Sequence, residues 1–193
     1  MRTYRKPFVP FLAIIACLIC SPLLMAADLP TSERLAPGEW HGTLTLQAIH
    51  PDGTVFAERT MKNLITTAGK TLLVNCMGAT GSPSCTTFET LKYHALGTGV
   101  ACSAAIGETT LETEFTTQYA TDNVRPTGTQ TGTATTYQTV GVNTVDIAAA
   151  VTEFGLFTQA SNAGGTMWTH ICFSVVNLGI GDTLQSTYTL TIP

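Results

Sequence analysis

The last fifty residues, from Thr144 to Pro193, leave this chain little choice of fold class. They divide into VDIAAAVTEFGLFT, TMWTHICFSVV and DTLQSTYTLTI, separated by the Gly-rich turns SNAGG and NLGIGD. In the third run, Leu184, Ser186, Tyr188, Leu190 and Ile192 share one phase. Thr183, Gln185, Thr187, Thr189 and Thr191 share the other. Strict period-two alternation with β-branched polar residues outward is the pattern of a half-buried strand. The region therefore reads as a three-strand meander. Val145, Ile147, Ala149 and Val151 hold one phase in its first strand, whereas Phe154 and Leu156 hold the other. A phase change inside one strand predicts a bulge at Glu153-Phe154-Gly155.

Upstream, HGTLTLQAIH and TVFAERTMK flank Pro51-Asp52-Gly53, which predicts a hairpin. Between Asn63 and Met77 the period changes: Leu64, Ala68, Leu72 and Cys76 recur every four residues. That spacing predicts one helix, with Asn63 or Thr66 as its cap and Gly78 at its end. FETLKYHALGTG reads as a strand, and 100–115 as loop and short strand. The stretch from 115 to 143 is mostly Thr, Gly and Gln, and two readings compete for it. It is either a polar edge strand, whose register is weakly specified, or a protruding loop.

Charged residues make up only 11% of the chain, and 36 threonines take their place. A Thr bias of this size favours pleated structure. Arg2, Arg5 and Lys6 precede an uncharged run from Pro7 to Ala27 that ends in SPLLMAA. This is the layout of a secretory signal peptide over 1–27, with a retained N-terminal anchor as its alternative. Residues 28–39 then read as a linker, and 40–193 as a single domain. Beyond residue 27 there are six basic and thirteen acidic residues, a net charge of −7. That balance disfavours a nucleic-acid partner. Any membrane contact would run through the leader. Four cysteines follow the leader, and an even count in an exported chain predicts two disulfides. The expected pairs are Cys76–Cys85, which is local, and Cys102–Cys172, a long-range staple. The expected location is secreted, periplasmic or at the cell surface.

No catalytic motif is visible. Ala68-Gly69-Lys70-Thr71 resembles the end of a phosphate-binding loop, but Leu64 stands where that loop needs its first Gly. His41, His50, His94 and His170 lie in separate segments without metal-ligand spacing, and His170 reads as a packed, hydrogen-bonded histidine rather than a zinc ligand. Glu108, Glu112, Glu114 and Asp122 form the densest acidic group and are the candidate calcium oxygens, against a default of solvated charges. Tyr119 and Tyr137 flank the polar segment and are the candidate binding surface for a sugar or a protein. No cofactor is expected.

NLITTAGKTLL (Asn63 to Leu73), YHALGTG (Tyr93 to Gly99) with TLETE (Thr110 to Glu114), EFGLF (Glu153 to Phe157) and GDTL (Gly181 to Leu184) occur in this order. Together they resemble small β-rich phage tail-fibre or virion structural proteins. The resemblance implies a non-catalytic β-sandwich that assembles, with a homotrimer among the candidate states. The leader and cysteines place that assembly outside the cell. The expectation is an all-β sandwich of roughly seven to nine mostly antiparallel strands with one short helix. Its expected role is that of a non-enzymatic structural subunit of an extracellular or virion-like appendage. The alternative is a secreted glycan- or surface-binding module.

Overall fold

The computed structural model describes residues 41–78, 89–162 and 164–192. The expected leader and linker, and Cys85, lie outside the described residues. Two antiparallel sheets pack face to face. The hairpin forms as its turn demands: β1 (His41–Ile49) pairs antiparallel with β2 (Val55–Lys62). Gly53 takes a φ of 88°, and Asp52 accepts the Thr54 amide at 2.8 Å. After β3 (Leu64–Ile65) comes α1 (Thr67–Gly78) and then β4 (Tyr93–Gly97). β5 (Thr129–Gly132) and β6 (Thr136–Thr144) follow, then β7 (Ala149–Phe157), β8 (Met167–Leu178) and β9 (Thr183–Thr191). The first sheet has the order β2-β1-β9-β6-β5, and the second β3-β8-β7-β4.

Leu44 and Leu46 from β1 and Leu184, Tyr188 and Leu190 from β9 form one wall of the core. Phe154 and Leu156 from β7 with Trp168 and Ile171 from β8 form the other. Alternation in β9 puts Leu184, Ser186, Tyr188 and Leu190 inward as expected, but the strand ends at Thr191 and Ile192 is exposed.

Three sequence expectations need correction. The C-terminal meander is divided: β7 and β8 pair in the second sheet, while β9 crosses to the first and lies between β1 and β6. Alternation reports which face of a strand is buried, not which strand lies beside it. Gly181 at φ 86°, with Asp182 accepting the Gly179 amide at 2.7 Å, shapes the turn that precedes the crossing. The helix begins at Thr67, because Leu64 and Ile65 pair with His170 and Thr169 as β3. Thr66 caps it, accepting the Gly69 amide at 3.0 Å. Asn63 is drawn away into the core instead. It accepts the Gly42 amide at 2.8 Å and donates to the Tyr188 hydroxyl at 3.0 Å. In β7 the break in pairing falls at Thr152, between Val151 and Glu153, immediately before the expected bulge residues.

Of the two readings of 115–143, its end follows the edge-strand one. β5 is the short edge of the first sheet and β6 an inner strand. Residues 98–128 instead lie against the second sheet: Glu114–Phe115 and Pro126–Gly128 bond along the free edge of β4, and 99–112 cover the outer face. There Leu111 joins Ala95, Phe157 and Met167 in a second, smaller cluster. This cover explains why β7 is buried on both faces after Thr152.

The Tyr188 hydroxyl accepts from Trp168 Nε1 at 2.7 Å as well as from Asn63, so one oxygen joins the two sheets and the approach to the helix. Replacing Tyr188 with Phe keeps the ring but leaves the buried Trp168 N–H without this acceptor. We expect Tyr188→Phe to lose about 1–3 kcal/mol in chemical denaturation with the far-ultraviolet circular dichroism unchanged.

Candidate functional site

The phase change at Thr152 turns Glu153 towards the outer face of the second sheet, opposite Cys172 in register and one step from the Gly155–His170 pair. A carboxylate there would be stranded in an apolar sheet without partners, and the covering loop supplies them. Glu153 Oε1 accepts the amides of Thr113 at 2.8 Å and Gly99 at 3.2 Å. Its Oε2 accepts the Glu112 amide at 2.9 Å and lies 3.1 Å from His170 Nε2. Glycine at 97 is what admits this carboxylate: a Cβ there would lie 2.3 Å from Glu153 Oε1.

His170 is fully buried, and its Nδ1 bonds to Glu108 Oε2, which also accepts the Ala105 amide at 2.9 Å. One imidazole therefore spans two carboxylates. Burial opposes charge on His170, but hydrogen bonds to Glu153 and Glu108 outweigh it and raise its pKa above the ordinary 6.5. Burial likewise pushes Glu153 up. Hydrogen bonds from His170 and the Thr113 and Glu112 amides overcome that and hold it below 4.5. Glu108 follows the same balance, with burial outweighed by the Ala105 amide and His170.

Cys102 and Cys172 form the expected disulfide against this cluster, with Cα atoms 5.5 Å apart across 70 residues. Their sulfurs lie 3.6 and 3.8 Å from His170 Nε2. The disulfide fastens the loop covalently where the carboxylate fastens it by hydrogen bonds. Cys76 is also disulfide-bonded; its expected partner, Cys85, is outside the described residues.

The other sequence candidates are placed differently. The candidate calcium oxygens do not converge. Glu108 is committed to His170, and Glu112 accepts the Ser103 amide at 3.0 Å. Glu114 pairs with Arg125 at 2.6 and 2.8 Å, and Asp122 is exposed. Closeness along the chain misleads here because the loop aims successive carboxylates at different partners. Tyr119 is not a surface residue: it is fully buried, accepts the Leu96 amide at 2.9 Å and packs on Phe115. Tyr137 is half-buried, accepting from Gln130 at 2.9 Å and donating to the Leu91 carbonyl. A polar tip on an apolar ring suits a core–loop junction as well as a binding surface.

Two further polar centres carried no motif. His94 is buried between the sheets, with Nδ1 2.7 Å from Ser186 Oγ and Nε2 3.1 Å from Thr139 Oγ1. Burial pushes its pKa down to about 3. Arg125 binds Glu114 through two nitrogens, reaches the carbonyls of Gln159, Asn162 and Gly164, and lies 3.5 Å over the Phe157 ring. For Glu153 and His170 the sequence signal is an ionisable residue inside an apolar strand, as in VTEFGLF and WTHICF.

No family model, curated protein or solved structure matches the chain. Among the described residues, no helix is long and apolar enough to cross a membrane. The intrachain disulfide is consistent with an oxidising compartment.

The histidines set opposite pH limits. Stability gained by keeping His94 neutral is complete above its ordinary 6.5 and is lost as pH falls from there towards about 3. The Glu108 and Glu153 contributions are complete above 4.5 and are also lost on acidification. The contribution of charged His170 is complete below 6.5 and is lost as pH rises through its raised value. Thermal unfolding against pH should therefore show an acid limb and a shallower neutral-to-alkaline limb, and His170→Gln should remove the second. Histidine ring resonances in NMR should show His94 neutral at pH values where His170 is charged. Glu153→Ala, which leaves His170 facing the disulfide without its buried partner, should cost about 3–5 kcal/mol in denaturant titrations.

Proposed function

We propose that this chain is a non-catalytic structural subunit of an extracellular or virion-like appendage, exported through its N-terminal leader and assembling with copies of itself. The observation that carries this reading is the outer face of the first sheet. In register across its five strands run Thr60, Thr45, Thr187, Val140 and Thr129. The next row is Lys62, Thr43, Thr189, Gln138 and Thr131. Apart from Lys62, at the β2 edge, these ten side chains carry no charge. Uncharged hydroxyl and methyl groups are cheaper to desolvate than Lys or Glu, and interface cores are depleted in charge. The face is bordered by β2, an eight-residue edge strand whose Val55 and Phe56 are exposed. An edge of this length with apolar residues is a template for another chain.

The buried charged and histidine groups described above serve the same reading. Glu153, His170 and Arg125 are satisfied by the chain's own backbone and side chains, so their chemistry is committed to holding layers together. The burial of Tyr119 takes away one of the two tyrosines proposed as a glycan-binding surface.

Size-exclusion chromatography with light scattering on the mature chain tests the proposal. We expect a homo-oligomer for the natural sequence. We expect a monomer of unchanged circular dichroism for Thr45→Glu/Thr187→Glu, which puts two like charges on adjacent strands of the face. A strict monomer of the natural chain at high concentration would overturn self-assembly. An oligomer indifferent to both charges would overturn the assignment of this face.

A further inference from the structure

Among the described residues, Cys102, His170 and Cys172 form a group whose ligand atoms all lie within 4.8 Å of one another. Glu153 adjoins them, with Oε2 3.1 Å from His170 Nε2 and 3.9 Å from Cys102 Sγ. We propose that, when the Cys102–Cys172 disulfide is reduced, these four side chains form a tetrahedral site for zinc or a similar borderline divalent cation.

The distances fit that geometry. Around a tetrahedral zinc with ordinary bond lengths, a sulfur and a nitrogen ligand stand about 3.6 Å apart, and a nitrogen and an oxygen about 3.3 Å. The corresponding separations here are 3.6 and 3.8 Å from the sulfurs to Nε2, and 3.1 Å from Nε2 to the carboxylate. The two sulfurs must separate to about 3.8 Å, and Cys102 Sγ must draw in from 3.9 Å to about 3.6 Å of Glu153 Oε2. The partner of the other ring nitrogen is also in place. Glu108 holds His170 Nδ1, which is the carboxylate–histidine–metal arrangement that orients a ligating imidazole. Amides of Gly99, Thr113 and Glu112 fix the Glu153 carboxylate, so the oxygen ligand is preset as well. Two thiolates with an imidazole and a carboxylate favour zinc over calcium or magnesium, which prefer oxygen.

The chemistry balances with a dithiol as reductant. It transfers two electrons and two protons to the Cys102–Cys172 bond, giving two thiols, and itself becomes a cyclic disulfide. Cation binding then releases both thiol protons and the Nε2 proton of His170 to solvent, while the Nδ1 proton stays on the ring and is donated to Glu108. The ion would fasten the 98–113 loop to the second sheet in a reducing setting, and the disulfide would do so in an oxidising one.

The test is anaerobic titration of the full chain, reduced with a dithiol that is then removed, using Co(II) and Zn(II). We expect one equivalent to bind with a thiolate-to-cobalt charge-transfer band and tetrahedral visible absorption, and zinc to displace the cobalt. Cys76→Ser should retain this signal and Cys102→Ser/Cys172→Ser should lose it. Glu108→Gln should weaken the affinity about 10–100-fold. If reduction unfolds the chain, zinc should restore its β-sheet circular dichroism. Failure to take up metal or refold with it would overturn the site. So would equal binding by the oxidised protein, or undiminished binding in the double serine variant.

Discussion

The covering loop depends on one buried carboxylate. Glu153 stands in a strand whose neighbours Phe154 and Leu156 are core residues, and its oxygens gather the amides of Gly99, Glu112 and Thr113. Each charge-assisted bond of this kind is stronger than a neutral one, and together they compensate the cost of removing a carboxylate from water. The loop cannot lift without stripping that carboxylate of its three amide donors and leaving it His170 alone. The disulfide and the His170–Glu108 bond act on the same segment, so three kinds of linkage converge on one patch of the second sheet.

A similar economy joins the two sheets. Apolar burial supplies most of the driving force, but apolar contact alone tolerates sliding. His94 against Ser186 and Thr139, and Tyr188 against Trp168 and Asn63, each allow one alignment of the sheets. Glycines at 128 and 141 accommodate the His94 ring, since a Cβ at either position would come within 2.6 Å of it. Arg125 does comparable work at the loop end, satisfying its guanidinium on carbonyls of 159–164 while pairing with Glu114. The outer face of the first sheet is left mostly with uncharged threonine, glutamine and valine, the surface on which the proposed assembly rests.

What could be read without coordinates followed from period and punctuation. The β1–β2 hairpin was legible from Asp52-Gly53 between alternating runs, and β9 from its unbroken phase. The Cys102–Cys172 pair was also legible once Cys76 and Cys85 were assigned to each other. The cluster around Glu153 was not. Its members stand 17 to 62 residues apart, and each belongs to a segment whose local pattern describes only itself. The acids that are close in sequence, Glu108 to Asp122, drew attention for the wrong reason, since a loop disperses neighbouring side chains. Tyr119 stands beside polar sequence and so reads as exposed, but its own segment folds the ring into the core and its hydroxyl onto the Leu96 amide.

The chain by itself determined the all-β class, the helix that became Thr67–Gly78 and the inward face of β1 and β9, because these follow from local periodicity and burial. Only the tertiary structure decided that β9 leaves its predecessors for the other sheet, and that a break at Thr152 turns Glu153 to the outer face. It also decided that His170 meets two carboxylates beneath a loop. Those outcomes depend on which segments lie side by side. That is settled by packing and by satisfying buried polar groups across long sequence separations, and no local pattern encodes it.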